Sequence, residues 1–149
     1  MATATKKADN VWSDEERAAM QAGARERKSA AKRSPADERA AGEAEVREKL
    51  ATMPADDRAM GERIYELIAK AEPALVPKTY YGMPAWAKDG KVICFYKPKS
   101  KFKVRYSTFE FQPDARLDDG ALWAVSFAVT ELTPSVEAKI VDLVKQGAS

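Results

Sequence analysis

The chain has no histidine and a single cysteine. Imidazole catalysis, thiolate zinc clusters and disulfides are therefore excluded, because each needs residues that are not there. The one thiol, Cys94, lies inside the run Val92-Ile93-Cys94-Phe95. In such a run sulfur behaves as a small core hydrophobe, whereas a reactive thiol wants a nearby cation and partial exposure. No glycine-rich phosphate loop occurs. No apolar run is long enough to span a bilayer and no signal-like apolar segment follows Met1, so a cytoplasmic protein without a membrane partner is expected. Lys, Asp, Glu and Tyr can still do acid–base work. Their spacing marks no catalytic constellation, and a protein that is not an enzyme is expected.

What is present suits one globular domain: 149 residues, of which 45% are hydrophobic, enough to bury a core. The formal charge of +2 gives no general electrostatic reason to expect nucleic acid. Charge is unevenly spread, however. Residues 1–35 carry eight Lys/Arg and five Asp/Glu, a net of +3, which leaves −1 for residues 36–149. Within the first part, Arg25–Arg33 holds five cations and one acid, a segment that could touch nucleic acid.

Residues 1–11 read as a disordered start. Ser13 with Glu16 three residues on forms a capping box, and Asp14 and Glu15 suit the helix dipole. The stretch to Arg33 has high helix propensity, yet Met20 is its only large apolar residue. Residues 1–34 are therefore expected to be a basic extension, flexible or marginally helical, or ordered by a partner. Ser34-Pro35 starts a second helix, with Val46, Leu50 and Met53 as its stripe. Pro54 begins a third, whose apolar positions Met60, Ile64, Leu67, Ile68 and Ala71 recur at helical spacing until Glu72-Pro73.

From Thr79 the period changes. Lys88-Asp89-Gly90-Lys91 is a two-strand turn signal, because Asp-Gly takes positive φ readily. Val92–Tyr96 reads as a strand, Lys97–Ser100 as a turn, and Phe102, Val104, Tyr106 and Thr108 as a third strand. After a turn at Asp118-Asp119-Gly120, Ala121–Val129 reads as a strand with Trp123, Val125 and Phe127 on one face. Thr133-Pro134 caps a last helix that buries Val136, Ile140, Leu143 and Val144. The expected fold is α+β: N-terminal helices, a central antiparallel meander and a C-terminal helix, with residues 35–149 as the domain proper.

Three features can carry function. Lys97, Lys99, Lys101, Lys103 and Arg105 recur with period two; on an extended segment they would share a side as an anion site, or form the wet face of a half-buried strand. Residues 36–72 carry ten Asp/Glu against six Lys/Arg. Carboxylates gathered there can hold a hard cation through oxygen, and Asp56, Asp57, Glu62 and Glu66 are the candidates. The plainer account is surface pairing of Glu62 with Arg58 and Glu66 with Lys70, and a dipole role for Asp56 and Asp57. The third feature is the aromatic loop Tyr80-Tyr81-Gly82-Met83-Pro84-Ala85-Trp86, stiff, irregular and amphipathic, which either lines a binding surface or closes one end of the core.

This third segment, followed by Lys88-Asp89-Gly90-Lys91-Val92, resembles the signature of the YdhG-like family of small bacterial proteins. Leu117-Asp118-Asp119-Gly120-Ala121-Leu122-Trp123 and Phe127…Glu131-Leu132-Thr133 resemble its second half. The likeness covers about residues 46–146. It implies an α+β fold and, since some members are described as frataxin-like iron chaperones, transient carriage of Fe(II) to iron–sulfur assembly proteins with no tightly bound cofactor. The motif supplies no iron ligand, so the four carboxylates above remain a chemical choice. The alternative is a module that binds a small anionic ligand or a protein partner through the aromatic segment and the basic run, with Tyr80, Tyr81, Met83, Trp86, Lys103, Arg105 and Trp123 as its contact residues.

Overall fold

The computed structural model describes residues 11–31 and 33–149; the expected disordered start, up to Asn10, lies outside them. Three helices come first: α1 (Asp14–Ala30), α2 (Pro35–Ala51) and α3 (Ala55–Ala71). Ser13 and Ser34 cap α1 and α2, each accepting a backbone N–H from three residues on, and Glu72 ends α3 before Pro73. A five-stranded antiparallel meander follows, in the order β1 (Val76–Tyr80), β2 (Met83–Lys88), β3 (Lys91–Lys97), β4 (Ser107–Phe111) and β5 (Ser126–Val129). A single helical turn, α4 (Lys99–Phe102), sits between β3 and β4. The chain closes with α5 (Pro134–Gly147), which Thr133 caps. This is the α+β architecture expected from the change of period at residue 79.

Alternation along the strands sorts the sheet residues onto two faces. Trp86 pairs with Cys94, Cys94 with Phe111, and Tyr96 with Phe109. These join Ile64 and Ile68 of α3 and Ile140 and Val144 of α5 in the main core. Cys94 is fully buried there, and burial pushes its thiol pKa well up. On the other face Ala85 pairs with Phe95 and Phe95 with Glu110. Met83, Ala85 and Phe95 form a smaller cluster there, with Tyr80, Tyr81 and Phe102 beside it.

Glycine decides how closely α2 lies on the sheet. A Cβ at Gly42 would stand 1.9 Å from the carbonyl oxygen of Pro77 in β1. The helix therefore accepts the propensity cost of an internal glycine to reach contact with the strand.

Several expectations change. The expected loop 80–86 is the end of β1, a tight turn and the start of β2, and 14–30 is a helix with Ala19 and Gly23 buried. The third strand starts at Ser107 instead of Phe102, and the last strand is only Ser126–Val129. Leu122 (89% exposed), Trp123 and Val125 precede it in irregular chain on the surface.

Gly42→Ala should cost about 3 kcal/mol, because the clash is with backbone that cannot turn aside. Gly90→Ala, where φ is +79° and nothing lies within 4 Å, should cost about 1 kcal/mol from conformation alone. Urea unfolding of both variants checks the contrast; equal losses would remove the close-approach account of Gly42.

Candidate functional site

The basic run does not form a strand, and the reason lies in α3. Asp57 in the first turn of α3 is only 2% exposed. Its Oδ1 accepts a hydrogen bond from Lys99 Nζ at 2.9 Å and its Oδ2 one from the Ser100 N–H at 3.1 Å. Asp56 takes the same ammonium from outside, and the Tyr96 hydroxyl donates to the Asp57 carbonyl at 2.9 Å. Burial holds the Tyr96 phenol up at about 12, so it stays a donor. Hydrogen bonds donated to Asp56 and then to Asp57 raise the Lys99 pKa, and the bond from Lys99 lowers that of Asp56. An unpaired buried carboxylate is costly, so the chain after Pro98 coils to bring Lys99 and the Ser100 amide to it. One turn of helix results, and Lys103 ends it at φ +54°.

That coil puts Phe102 on the outer face of the sheet. There, with the approach to α1, it borders an open groove of about 280 Å³. Trp12, Met20, Tyr81, Met83, Phe95 and Phe102 supply its apolar wall. Lys97, Glu16 and Glu110 supply its charge. Lys97 Nζ stands 4.9 Å from the centre of the Phe102 ring, a cation–π distance. Glu110 is oriented by the Thr108 hydroxyl, which donates to it at 2.8 Å. Trp12 is 52% exposed, an unusual setting for so large an apolar side chain.

The groove exists because α1 is held off the sheet at a set distance. The β1–β2 turn places Tyr81 at φ +50° and Gly82 at φ +79°, the sign pattern of a type I′ turn. Tyrosine is an uncommon residue for that conformation, which costs about 1 kcal/mol. The two turn amides donate to the Glu26 carboxylate of α1, each at 2.8 Å. Gly23 lies against the Tyr81 ring, where a Cβ would be 2.7 Å away. At the helix start, Lys103 Nζ meets Glu15 at 2.8 Å.

The expected site residues are thus divided. Tyr81 and Met83 line the groove, and Tyr80 packs behind it, 5.3 Å from the Phe95 ring. Trp86 does not reach this surface: it lies in the main core at 1% exposure, between Tyr65 and Phe109. Lys103 is bound to Glu15, Arg105 covers the Tyr106 ring at 5.0 Å, and Trp123 belongs to the exposed segment before β5. Asp56 and Asp57 are held by Lys99. Glu66 pairs with Arg63, which also binds Glu137, in place of the expected Lys70. Glu62 and Glu66 border a separate cavity of about 340 Å³ with Arg47, Leu50 and Tyr65. Among the described residues, no group of three or more His, Cys, Asp or Glu is placed to hold a metal ion, and no helix is long and apolar enough to cross a membrane. Sequence reasoning missed Trp12, Met20, Phe95, Phe102, Glu16 and Glu110. Only the exposed Trp12 just ahead of a capping box could have drawn attention.

No protein-family model, no curated protein and no solved structure matches this chain.

Two outcomes follow from this geometry. Glu26→Ala should destabilise the protein by about 2 kcal/mol, the scale of hydrogen bonds to a partly buried charge. It should also speed amide exchange across α1 while leaving α3 protected; equal protection in both helices would remove Glu26 as the anchor. Lys99 holds its proton more tightly folded than unfolded, so its contribution is complete below the ordinary lysine range of about 10.4 and is lost as pH rises through the folded value. Lys99→Met should therefore lower the melting temperature by several degrees at pH 7, and the gap to the wild type should close in strong alkali. A gap that widens with pH would contradict the clamp.

Proposed function

We propose that this is a cytosolic binding protein, YdhG-like in kind, which recognises a protein partner by taking a bulky apolar side chain into the groove between α1 and the outer sheet face. The observation that supports it most is the convergence of the aromatic turn and the basic run: Tyr81 and Met83 from one, Lys97 and Phe102 from the other, around a single opening. Tyr, Trp, Phe and Met are the residues that supply anchoring pockets at interfaces. At about 280 Å³ the groove falls below the usual range for drug-sized ligands, roughly 300–1,000 Å³, and suits one or two side chains.

Charge selects the partner segment. Lys97 attracts an acidic residue beside the anchor, while Glu16 and Glu110 attract a basic one. A purely anionic small molecule fits less well, since two carboxylates face one ammonium. Iron carriage, the other expectation attached to the resemblance, draws no support from the scattered positions of Asp56, Asp57, Glu62 and Glu66.

Capped tripeptides Lys-Phe-Asp and Lys-Ala-Asp test this, with the Trp12 indole N–H followed by NMR. The Phe peptide should bind with a Kd of about a millimolar, as its small size allows. The Ala peptide should bind about tenfold more weakly, as should the Phe peptide to Phe102→Ala. Identical responses to the two peptides would sink the reading.

A further inference from the structure

A second recess opens on the other side of the β1–β2 turn. It occupies about 210 Å³ between the end of α2 and α4, with Gly82 in its lining. Its charged lining consists of Lys49 and Lys101; Thr52 and Ser100 add hydroxyls, and no carboxylate lines it. Lys101 is partly buried. Its ammonium contacts the Phe102 ring, 5.7 Å from the centroid. Among the described residues neither Lys101 nor Lys49 forms an ion pair. Burial, and next the charge of Lys49, lower the Lys101 pKa, against a smaller opposing pull from Glu26.

Two ammonium groups facing one recess repel each other, and no carboxylate lines this recess to relieve them. Three of the nearby acids are already engaged. Glu26 is bound to the Tyr81 and Gly82 amides, Asp57 to Lys99 and the Ser100 amide, and Glu45 to Arg33. Glu48 lines the adjoining cavity on the α1 side together with Lys49 and Lys101, so the two lysines divide an acidic side from a side without acid. Gly82 makes room for the amine, since a Cβ there would stand 2.7 Å from Lys101 Nζ. The Thr52 hydroxyl donates to the Lys49 carbonyl, which leaves the Ser100 hydroxyl as the neutral donor.

We propose that this recess is an anion site in which Lys49 and Lys101, with the Ser100 hydroxyl, bind a phosphate group. A compact dianion with several acceptor oxygens matches two point-charge donors and a hydroxyl. It also removes the repulsion between the lysines, which a monoanion does only in part. The site is independent of peptide binding in the aromatic groove, because its lining shares no residue with that groove.

The full chain is titrated with inorganic phosphate and, separately, with glycerol 3-phosphate. Sodium chloride at matched ionic strength is the reference, and the amide signals of Gly82, Ser100 and Lys101 are followed by NMR. Saturable shifts with phosphate and none with chloride are expected. Lys49→Gln and Lys101→Gln should each weaken binding about tenfold. Lys145→Gln, which removes the same charge from the end of α5, should leave it unchanged. Tighter binding of the ester would identify a phosphorylated small molecule as the ligand, and equal binding the free anion. Shifts reproduced by chloride, or wild-type affinity in Lys49→Gln, whose exposed side chain carries no folding role, would overturn the proposal.

Discussion

Asp57 is a carboxylate buried at the start of a helix, and the path of the chain after β3 is arranged to satisfy it. Lys99 neutralises it and the Ser100 amide occupies its second oxygen. A straight continuation of β3 would have carried Lys99 away from α3 and left the charge unpaired in the core, a far larger penalty than the loss of a few strand hydrogen bonds. The helical turn that results sends Phe102 to the outer face and Lys101 into the recess beside α2. Both candidate sites depend on this one ionic contact, although neither contains Asp57.

The two faces of the sheet are finished differently, and that difference is where function can reside. α3 and α5 cover the inner face with Ile64, Ile68, Ile140 and Val144, and the aromatic side chains between them pack edge to face. The outer face receives Phe102 of α4 together with α1, a helix of small residues that leaves an open groove beside Phe95 and Phe102. What α1 lacks in apolar area it makes up in electrostatics, through Glu26 on two turn amides and Glu15 on Lys103. The groove lies between this helix and the outer sheet face, bordered by Glu16, Ala19 and Met20 of α1.

Several elements were legible in the residues alone. Ser13, Ser34 and Thr133 cap their helices as their positions indicate, and Asp89-Gly90 forms the hairpin its turn chemistry requires. These are local effects, complete within four residues. The failures share a cause of the opposite kind. Tyr81-Gly82 is a tight turn that nothing in tyrosine's own preference favours; it is held there by Glu26, 55 residues earlier. The lysine run has the period of a strand but serves Asp56 and Asp57, more than 40 residues away. Likewise Trp123 and Val125 alternate as a strand does, yet the pairing with β4 reaches back only to Ser126. Of the contact residues expected, Tyr81 and Met83 were found because an aromatic turn is conspicuous, whereas Phe95 and Phe102 look like ordinary strand residues.

The sequence by itself determined the α+β class, the starts of the main helices, the Asp89-Gly90 hairpin, and the exclusion of imidazole chemistry and thiolate clusters. Those properties follow from hydrophobic period, cap and turn residues, and composition, all of which act within a short span of chain. Only the tertiary structure decided which charges would be spent inside the protein and which would stay available. Asp56, Asp57, Lys99 and Lys103 are engaged with partners on distant elements, while Lys97, Lys49 and Lys101 border open recesses. A charged side chain looks the same in either role until the fold brings its partner to it or fails to.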